Sequence, residues 1–492
     1  MGQVAASRIG LEFAFGPNKG LEMPTASEKV LAKLCSRSFL SLWSYPSPYQ
    51  DKGFAQRGEG KELCDLLVVF GNDVIIFSDK SCAYPDTGKE DLDWKRWWKR
   101  AVAESVKQIS GAERWLRQHP GRVFADSRCS KRLDVEIPDH ASIRIHRVVV
   151  ALNARKRCQR FFGGGSGSLM VCGSAHDGDA PHQQFRIDGA PLNAPFVHVL
   201  DDVALHVLMS ERDTIGDFIE YLARKEEAMS LTQVLATGEE DLLAHYLTTL
   251  DANGKYTFIP PSAGRPDGIL VDESNYKFFR GLPQYRSAKA ANKISYLWDE
   301  TIEYFTEIWR DGNVVGGASR LDTERALRSM ALARRAERRA LGEMVSQLVT
   351  YQAGEVMTAC RTLLDKDALA YAGVALAQPA SAPDDEYRNV RAEVMLAYAR
   401  SLKIRLPNIE QALVLGFHAP HRGHVSEALL LVDFEDWNEE IERQTRGDME
   451  RFGWTATGEK RTAHEFPLPV TREQARRQRQ MARQAEKRKK SP

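Results

Sequence analysis

The stretch GKELCDLLVVFGNDVIIFSDK, residues 60–80, carries the strongest structural pattern in the first half of this chain. It contains two short apolar runs rich in β-branched residues, 66–70 and 74–77. Gly71-Asn72 between them is a two-residue connection of the kind that closes a tight β-hairpin. The stretch therefore predicts two antiparallel strands, with ionisable residues at the ends of an otherwise apolar hairpin.

The register of this hairpin predicts which polar side chains meet. If Gly71-Asn72 is the turn, counting outward pairs Asp65 with Ser78. Side chains alternate across a sheet, so Lys80 shares a face with Ser78, and Asp79 points to the opposite face. We therefore expect Asp65, Ser78 and Lys80 to converge.

Length and charge set the broad class of the protein. At 492 residues the chain is too long for one core, and its 43% hydrophobic residues suffice for two to four domains. The formal net charge is only +1, but nine Lys/Arg face two Glu between Arg472 and Lys490, a local charge of +7. The bulk charge indicates no partner, whereas the tail is a candidate for binding phosphate groups.

Cysteine usage and hydropathy indicate the compartment. The seven cysteines form no CxxC pair, and an odd number does not suit a disulfide framework. No run of eighteen apolar residues and no signal-like apolar segment is found. The sequence predicts a cytoplasmic protein without a membrane span.

Composition shifts divide the chain into four predicted parts. Strands and helices alternate at first, including a long helical pattern over 91–118, and Pro/Gly-rich stretches follow at 260–268 and 378–385. We expect helices over 288–309, 322–351 and 353–376. A helix near 386–402, strands over 412–417 and 428–434, and a helix that begins near 436 should follow. The predicted parts are an α/β domain (1–255), a helical domain (256–385), a small α/β module (386–465) and a basic, disordered tail (466–492).

The helix predicted over 322–351 is rich in arginine, at positions 325, 328, 334, 335, 338 and 339. Such a row is typical of a solvated helix face, and a surface that binds nucleic acid is the second interpretation. The helical region is also a candidate surface for a homo-oligomer or a partner protein.

The hairpin and the helix after it resemble the PD-(D/E)xK nuclease fold, particularly its restriction-endonuclease-like and nuclease-related-domain branches. In that family an acid begins one strand, the next strand ends in acid-x-Lys, and a helix then packs on the sheet. Asp65 matches the first acid and Lys80 the lysine, and the match covers about ninety residues. The resemblance implies a mixed sheet flanked by helices, and a metal held by two acids and a backbone carbonyl.

One position departs from this pattern, because Ser78 stands where the second acid is expected. A bulge at 78–79 or a three-residue turn at 71–73 would bring Asp79 round to Asp65, although the changed turn would send Lys80 away. The second interpretation is a carboxylate from outside the hairpin: Glu28, Glu59 or Glu62. In the third interpretation the site is degenerate, so that it binds without catalysing a reaction.

The resemblance implies hydrolysis of phosphodiester bonds with Mg²⁺ or Mn²⁺, with Asp65 and Asp79 as metal ligands. Lys80 would stabilise developing negative charge, and Gln108 on the following helix could reach the site. We expect a nuclease that acts on nucleic acid, DNA rather than RNA, in defence against foreign DNA. The alternative is a non-catalytic nucleic-acid-binding or scaffold protein on a degenerate nuclease fold.

Overall fold

Helices and strands alternate through the part of the chain that the computed structural model describes, residues 31, 38–173, 183–188, 195–260, 268–312, 319–350, 357–361, 369–378, 383–419 and 427–454. The strands, β1 to β16, are Ser44–Pro46, Tyr49–Gln50, Lys61–Glu62, Leu66–Phe70, Asp73–Lys80, Val123–Phe124, Arg144–Ala151, Met170–Gly173, Arg186–Asp188, His198–Leu200, Gln233–Ala236, Gly268–Val271, Met357–Arg361, Leu369–Ala377, Gln411–Ala419 and Ala428–Asp433. The α-helices, α1 to α14, are Phe54–Arg57, Glu90–Trp98, Glu104–Gln118, Arg155–Phe162, Asp202–Glu211, Ile215–Leu231, Glu239–Thr248, Asn275–Gly281, Pro283–Ala291, Tyr296–Arg310, Arg320–Leu332, Arg335–Val349, Asp384–Arg405 and Glu439–Arg451. The predicted mixed α/β class is confirmed.

Five strands form the central sheet in the order β1-β4-β5-β7-β10. Strands β1, β4 and β5 are antiparallel neighbours, whereas β5, β7 and β10 run parallel. The predicted hairpin is confirmed, since Phe70 pairs with Asp73 across the two-residue turn and Gly71 has the positive φ of 57° that such a turn favours. Almost every residue of β4 and β5 is buried, as expected for strands covered on both faces.

Helices cover the central sheet on both faces. Ile76 belongs to one core together with Trp94 of α2. Its neighbour Phe77 belongs to the other core, where its ring lies 6.3 Å from that of Phe218 on α6. Alternate residues of β5 therefore enter different cores.

The predicted domain boundaries at residues 255 and 385 each divide a sheet. In the sheet β12-β11-β8-β9, strand β11 precedes residue 255 and pairs in parallel with β12, which follows it. In the sheet β13-β14-β15-β16, strand β14 precedes residue 385 and pairs in parallel with β15. Strand pairing therefore crosses both predicted boundaries. The predicted tail lies outside the described residues.

The helical region also differs from its prediction. Residues 357–361 and 369–377 form strands rather than a helix. Strand β14 is a run of small and apolar residues buried on both faces, so it lacks the period-two alternation that indicates a strand. The helix predicted over 322–351 is two helices, since the backbone is extended at Arg334, between α11 and α12. The predicted helix, two strands and helix of the small module are present as α13, β15, β16 and α14.

Two arginines of the arginine-rich segment are buried in ion pairs. Arg335 lies 2.9 Å from Asp213 and 2.8 Å from Asp299, and Arg338 lies 2.5 Å from the other oxygen of Asp299. Both guanidinium groups are nearly inaccessible to solvent. These two residues therefore join helices to one another, and neither belongs to a solvated face.

Two structural features bear on the predicted compartment: the absence or presence of membrane-spanning helices, and the state of the cysteines. Across the described ranges, no helix combines the length and apolar character that crossing a membrane requires. Cys64, Cys82, Cys129, Cys158 and Cys172 are all free thiols.

Candidate functional site

Residues from the hairpin and from α3 meet at the carboxyl end of β5. Regular pairing between β4 and β5 ends at Leu66 and Phe77, and the chain bends at Asp65. The carboxylate of Asp65 accepts a 2.6 Å hydrogen bond from the backbone N–H of Asp79. Asp65 thus contacts the end of β5 as predicted, but through the backbone of Asp79 rather than in a ladder pair with Ser78.

The two faces of β5 separate Asp79 from Ser78 and Lys80. Strand β5 pairs with β7 without interruption from Asp73 to Lys80, so the bulge and the three-residue turn considered above are absent from this hairpin. Ser78 and Lys80 lie opposite Val149 and Ala151, which belong to the core beneath α2 and α3. Asp79 lies opposite Val150, which belongs to the other core. The carboxylate of Asp79 is therefore on the face away from Ser78 and Lys80, while its backbone remains at the site.

Ser78 contacts helix α3. Its side chain is fully buried, and its hydroxyl donates a 3.2 Å hydrogen bond to Oε1 of Gln108. Gln108, one of the candidates from the sequence, therefore contacts Ser78. A π-helical turn, Lys99–Ala103, precedes α3 and packs with β5 and β7. Such turns often occur at functional sites, and this one sets the direction in which the first turn of α3 faces.

Glu104 is an exposed carboxylate on α3 that the sequence reasoning missed. It lies four residues before Gln108 in α3, so both side chains are on the same face of the helix. Burial raises the pKa of the Cys82 thiol, and the charge of Arg100 opposes this shift. Glu104 raises the same pKa slightly and Lys80 lowers it slightly. Glu104 and Lys80 therefore lie close to a common neighbour. The spacing of four from Gln108 is the signal in the sequence that could have found it.

The other predicted carboxylates lie elsewhere. Glu59 and Glu62 are exposed, and Glu62 belongs to β3, where it pairs with Tyr49 in a small separate sheet. Glu62 still has an electrostatic effect close to Asp65, since burial, Asp65 and Glu62 together raise the pKa of the Cys64 thiol. Glu28 lies outside the described residues.

No protein-family model, curated protein or solved structure matches the chain. The chemistry of its side chains alone indicates what this strand end can bind.

Proposed function

We propose that the protein is a divalent-metal-dependent nuclease that hydrolyses phosphodiester bonds in nucleic acid, with DNA as the favoured substrate, and that its first α/β region is restriction-endonuclease-like. The observation that carries the proposal is the hydrogen bond between the Asp65 carboxylate and the Asp79 backbone, at the strand end where Ser78 and Lys80 face α3. The hairpin, the lysine at its end and the helix packed on the sheet agree with the resemblance described above.

The donor groups around this strand end suit a hard divalent cation. Carboxylate and carbonyl oxygens are the ligands that Mg²⁺ and Mn²⁺ prefer. Asp65, the backbone carbonyl of Asp79 and Glu104 would hold such an ion, which when bound neutralises phosphate charge and lowers the pKa of water. Asp79 would thus act through its backbone, since its carboxylate is on the other face of β5.

The chain's own side chains have distinct roles in this proposal. Lys80 supplies positive charge next to the phosphate and stabilises the negative charge that develops there during hydrolysis. Ser78 and Gln108 hold α3 against the strand. Glu104 extends from the same face of α3 as Gln108 and would turn toward the ion. Ser78 and Gln108 are positioning residues.

The test is cleavage by the purified full chain. Plasmid DNA, single-stranded DNA and RNA are incubated with Mg²⁺ or Mn²⁺, and with a chelator as the negative control. We expect cleavage that needs the ion and falls at least about a hundredfold in Asp65→Asn and in Lys80→Ala. Lys61→Ala is the matched control, because Lys61 is an exposed lysine on β3 and should leave cleavage unchanged.

Two outcomes would contradict the proposal. One is a folded wild-type protein that cuts none of the substrates with either ion. The other is cleavage by Lys80→Ala at the rate of Lys61→Ala.

The second candidate is a protein that binds nucleic acid without cutting it, and the observation in its favour is Ser78. A hydroxyl bonded to Gln108 replaces the acid that the resemblance implies. This candidate predicts salt-sensitive binding of nucleic acid, no metal-dependent turnover, and equal affinity in wild type and Asp65→Asn. Binding measured at several salt concentrations separates it from the nuclease.

A further inference from the structure

A second group of metal-ligating side chains lies on the other face of the central sheet. His146 is on β7 and His198 on the neighbouring parallel strand β10, where His198 pairs with Val148. Residues 146 and 148 of one strand share a face, so both imidazoles point to the same side of the sheet. Helix α6 crosses that face and contributes Glu226.

The three side chains meet within hydrogen-bonding distance. Nδ1 of His146 and Nε2 of His198 each lie 2.9 Å from Oε1 of Glu226. All three atoms lie within 4.8 Å of one another. Tetrahedral coordination at about 2.1 Å separates ligand atoms by about 3.4 Å, so small side-chain movements would open this cluster around an ion.

The cluster is enclosed but not sealed. The side chains of His146 and His198 are 5% and 0% exposed, whereas that of Glu226 is 29% exposed. A cleft of about 500 Å³, lined by Asp73, Arg144, His146 and Glu226 among others, reaches the cluster from outside. An ion could enter by this cleft, and its remaining coordination position would face the cleft.

A carboxylate behind His146 completes the arrangement. Nε2 of His146 lies 3.3 Å from Oδ1 of Asp73, and Arg144 holds Asp73 by two hydrogen bonds of 2.8 and 2.6 Å. A carboxylate that accepts the second N–H of a histidine is the usual support for a metal-ligating imidazole. It orients the ring so that Nδ1 presents its lone pair to the ion.

We propose that His146, His198 and Glu226 bind a first-row transition-metal ion of the Zn²⁺ type. Two imidazole nitrogens and one carboxylate oxygen suit Zn²⁺, whereas Mg²⁺ and Ca²⁺ prefer oxygen ligands alone. The ion joins α6 to the two parallel strands. It leaves one position toward the cleft, as in sites that bind water or a small ligand.

This site is separate from the candidate nuclease site. Asp73 and Lys80 lie at opposite ends of β5, about 23 Å apart at 3.3 Å per residue. His146 and His198 face the core opposite the one beneath α2 and α3. The proposal does not depend on the nuclease function, and its test uses no nuclease activity.

The test is Zn²⁺ binding to the full chain, purified without a histidine tag and stripped with a chelator. Calorimetry and competition with a chromogenic chelator give the stoichiometry and Kd. We expect one Zn²⁺ per chain and an increase in Tm. The Kd should rise at least about tenfold in Glu226→Gln and in His146→Gln, each checked by circular dichroism. Glu227→Gln and His140→Gln, which alter an exposed acid next to Glu226 and an exposed histidine, should bind as wild type does.

Cobalt binding reports the ligand set directly. A Co²⁺-loaded wild-type protein should show the intense visible absorption of four-coordinate Co²⁺, and Glu226→Gln should lose it. A wild-type chain that takes up less than one Zn²⁺ per chain at micromolar concentrations would overturn the proposal whether or not the variants fold. Binding by folded Glu226→Gln as tight as by Glu227→Gln would overturn it too, and would leave a hydrogen-bonded polar cluster.

Discussion

Ser78 lies where the resemblance to the nuclease fold places a carboxylate, and its hydroxyl bonds to Gln108 instead. The sequence itself shows that a serine occupies this position. Strand alternation predicts that Ser78 and Asp79 point to opposite faces of the sheet. The sequence does not show that Asp65 binds the backbone of Asp79. That contact depends on a bend at Asp65, which has no clear pattern in a single sequence.

At the level of single residues, Glu104→Gln should abolish metal-dependent cleavage as completely as Asp65→Asn. The reason is that a neutral amide is a poor ligand for a hard cation. Glu59→Gln and Glu62→Gln change exposed carboxylates and should keep cleavage within about threefold of wild type. Initial cleavage rates at saturating Mn²⁺ give the comparison. Full activity in Glu104→Gln together with loss in Glu62→Gln would assign the missing carboxylate to Glu62.

Glu240 should make stability depend on pH. Burial raises its pKa to about 7, a hydrogen bond from Ser166 opposes the shift, and the buried carboxylate of Asp201 adds to it. A pKa raised in the folded state means that ionisation favours unfolding, so the contribution of Glu240 to stability is fully present below pH about 4.5 and is lost as the pH rises through 7. The loss is up to about 3 kcal/mol. Glu240→Gln should show a smaller fall in Tm between pH 5 and 8, whereas the exposed Glu227→Gln should follow wild type. A fall in Glu240→Gln as large as in wild type would refute this assignment.

At the level of elements, the strongest local patterns were predictable. The hairpin follows from two apolar runs around Gly71-Asn72, and the α2–α3 segment follows from tryptophans and leucines at helical spacing. Strand β14 was not predictable as a strand, since it is buried on both faces and lacks alternation. The break between α11 and α12 was also missed, because it is stabilised by capping of Arg334 by Glu337 and by burial of Arg335 against other helices. Tertiary contacts, rather than local sequence patterns, determine the conformation of β14 and the break between α11 and α12.

Two helical glycines should respond oppositely to the same substitution. A Cβ at Gly342 in α12 would lie 2.2 Å from the backbone oxygen of Ile294, so Gly342→Ala should destabilise the protein by about 1–3 kcal/mol. Gly111 in α3 is exposed and a Cβ there meets nothing within 4 Å, so Gly111→Ala should stabilise it by up to about 1 kcal/mol. Thermal unfolding of both variants measures the signs. Stabilisation by Gly342→Ala would show that α12 is not packed so closely on Ile294.

At the level of the whole molecule, one apolar core includes residues from both ends of the described chain. Phe39 near the beginning and Phe417 near the end belong to the same cluster. Outside this core, Glu303 on α10 accepts hydrogen bonds of 2.6 and 2.5 Å from the backbone N–H and the hydroxyl of Ser41. The linker-like stretches in the sequence suggested separate domains, whereas strand pairing and burial connect them.

Asp299 should be one of the residues that hold the parts of the chain together. Asp299→Ala leaves Arg335 and Arg338 buried without this partner, and such a loss typically costs about 3–5 kcal/mol. Asp433→Ala removes a partly exposed pair with Arg325 and should cost less than about 1 kcal/mol. We expect the Tm to fall strongly only in Asp299→Ala, with tryptophan fluorescence and far-UV circular dichroism shifting together. Separate midpoints for the two signals would show that the parts unfold independently.

The shared core also has a consequence for synthesis on the ribosome. Phe39 emerges long before Phe417, and at about 5–20 residues per second the interval is of the order of tens of seconds. During that time the part of this core that receives β15 is open to water and to other nascent chains. We therefore expect the yield of folded protein to depend on chaperones that hold the first half until translation is complete.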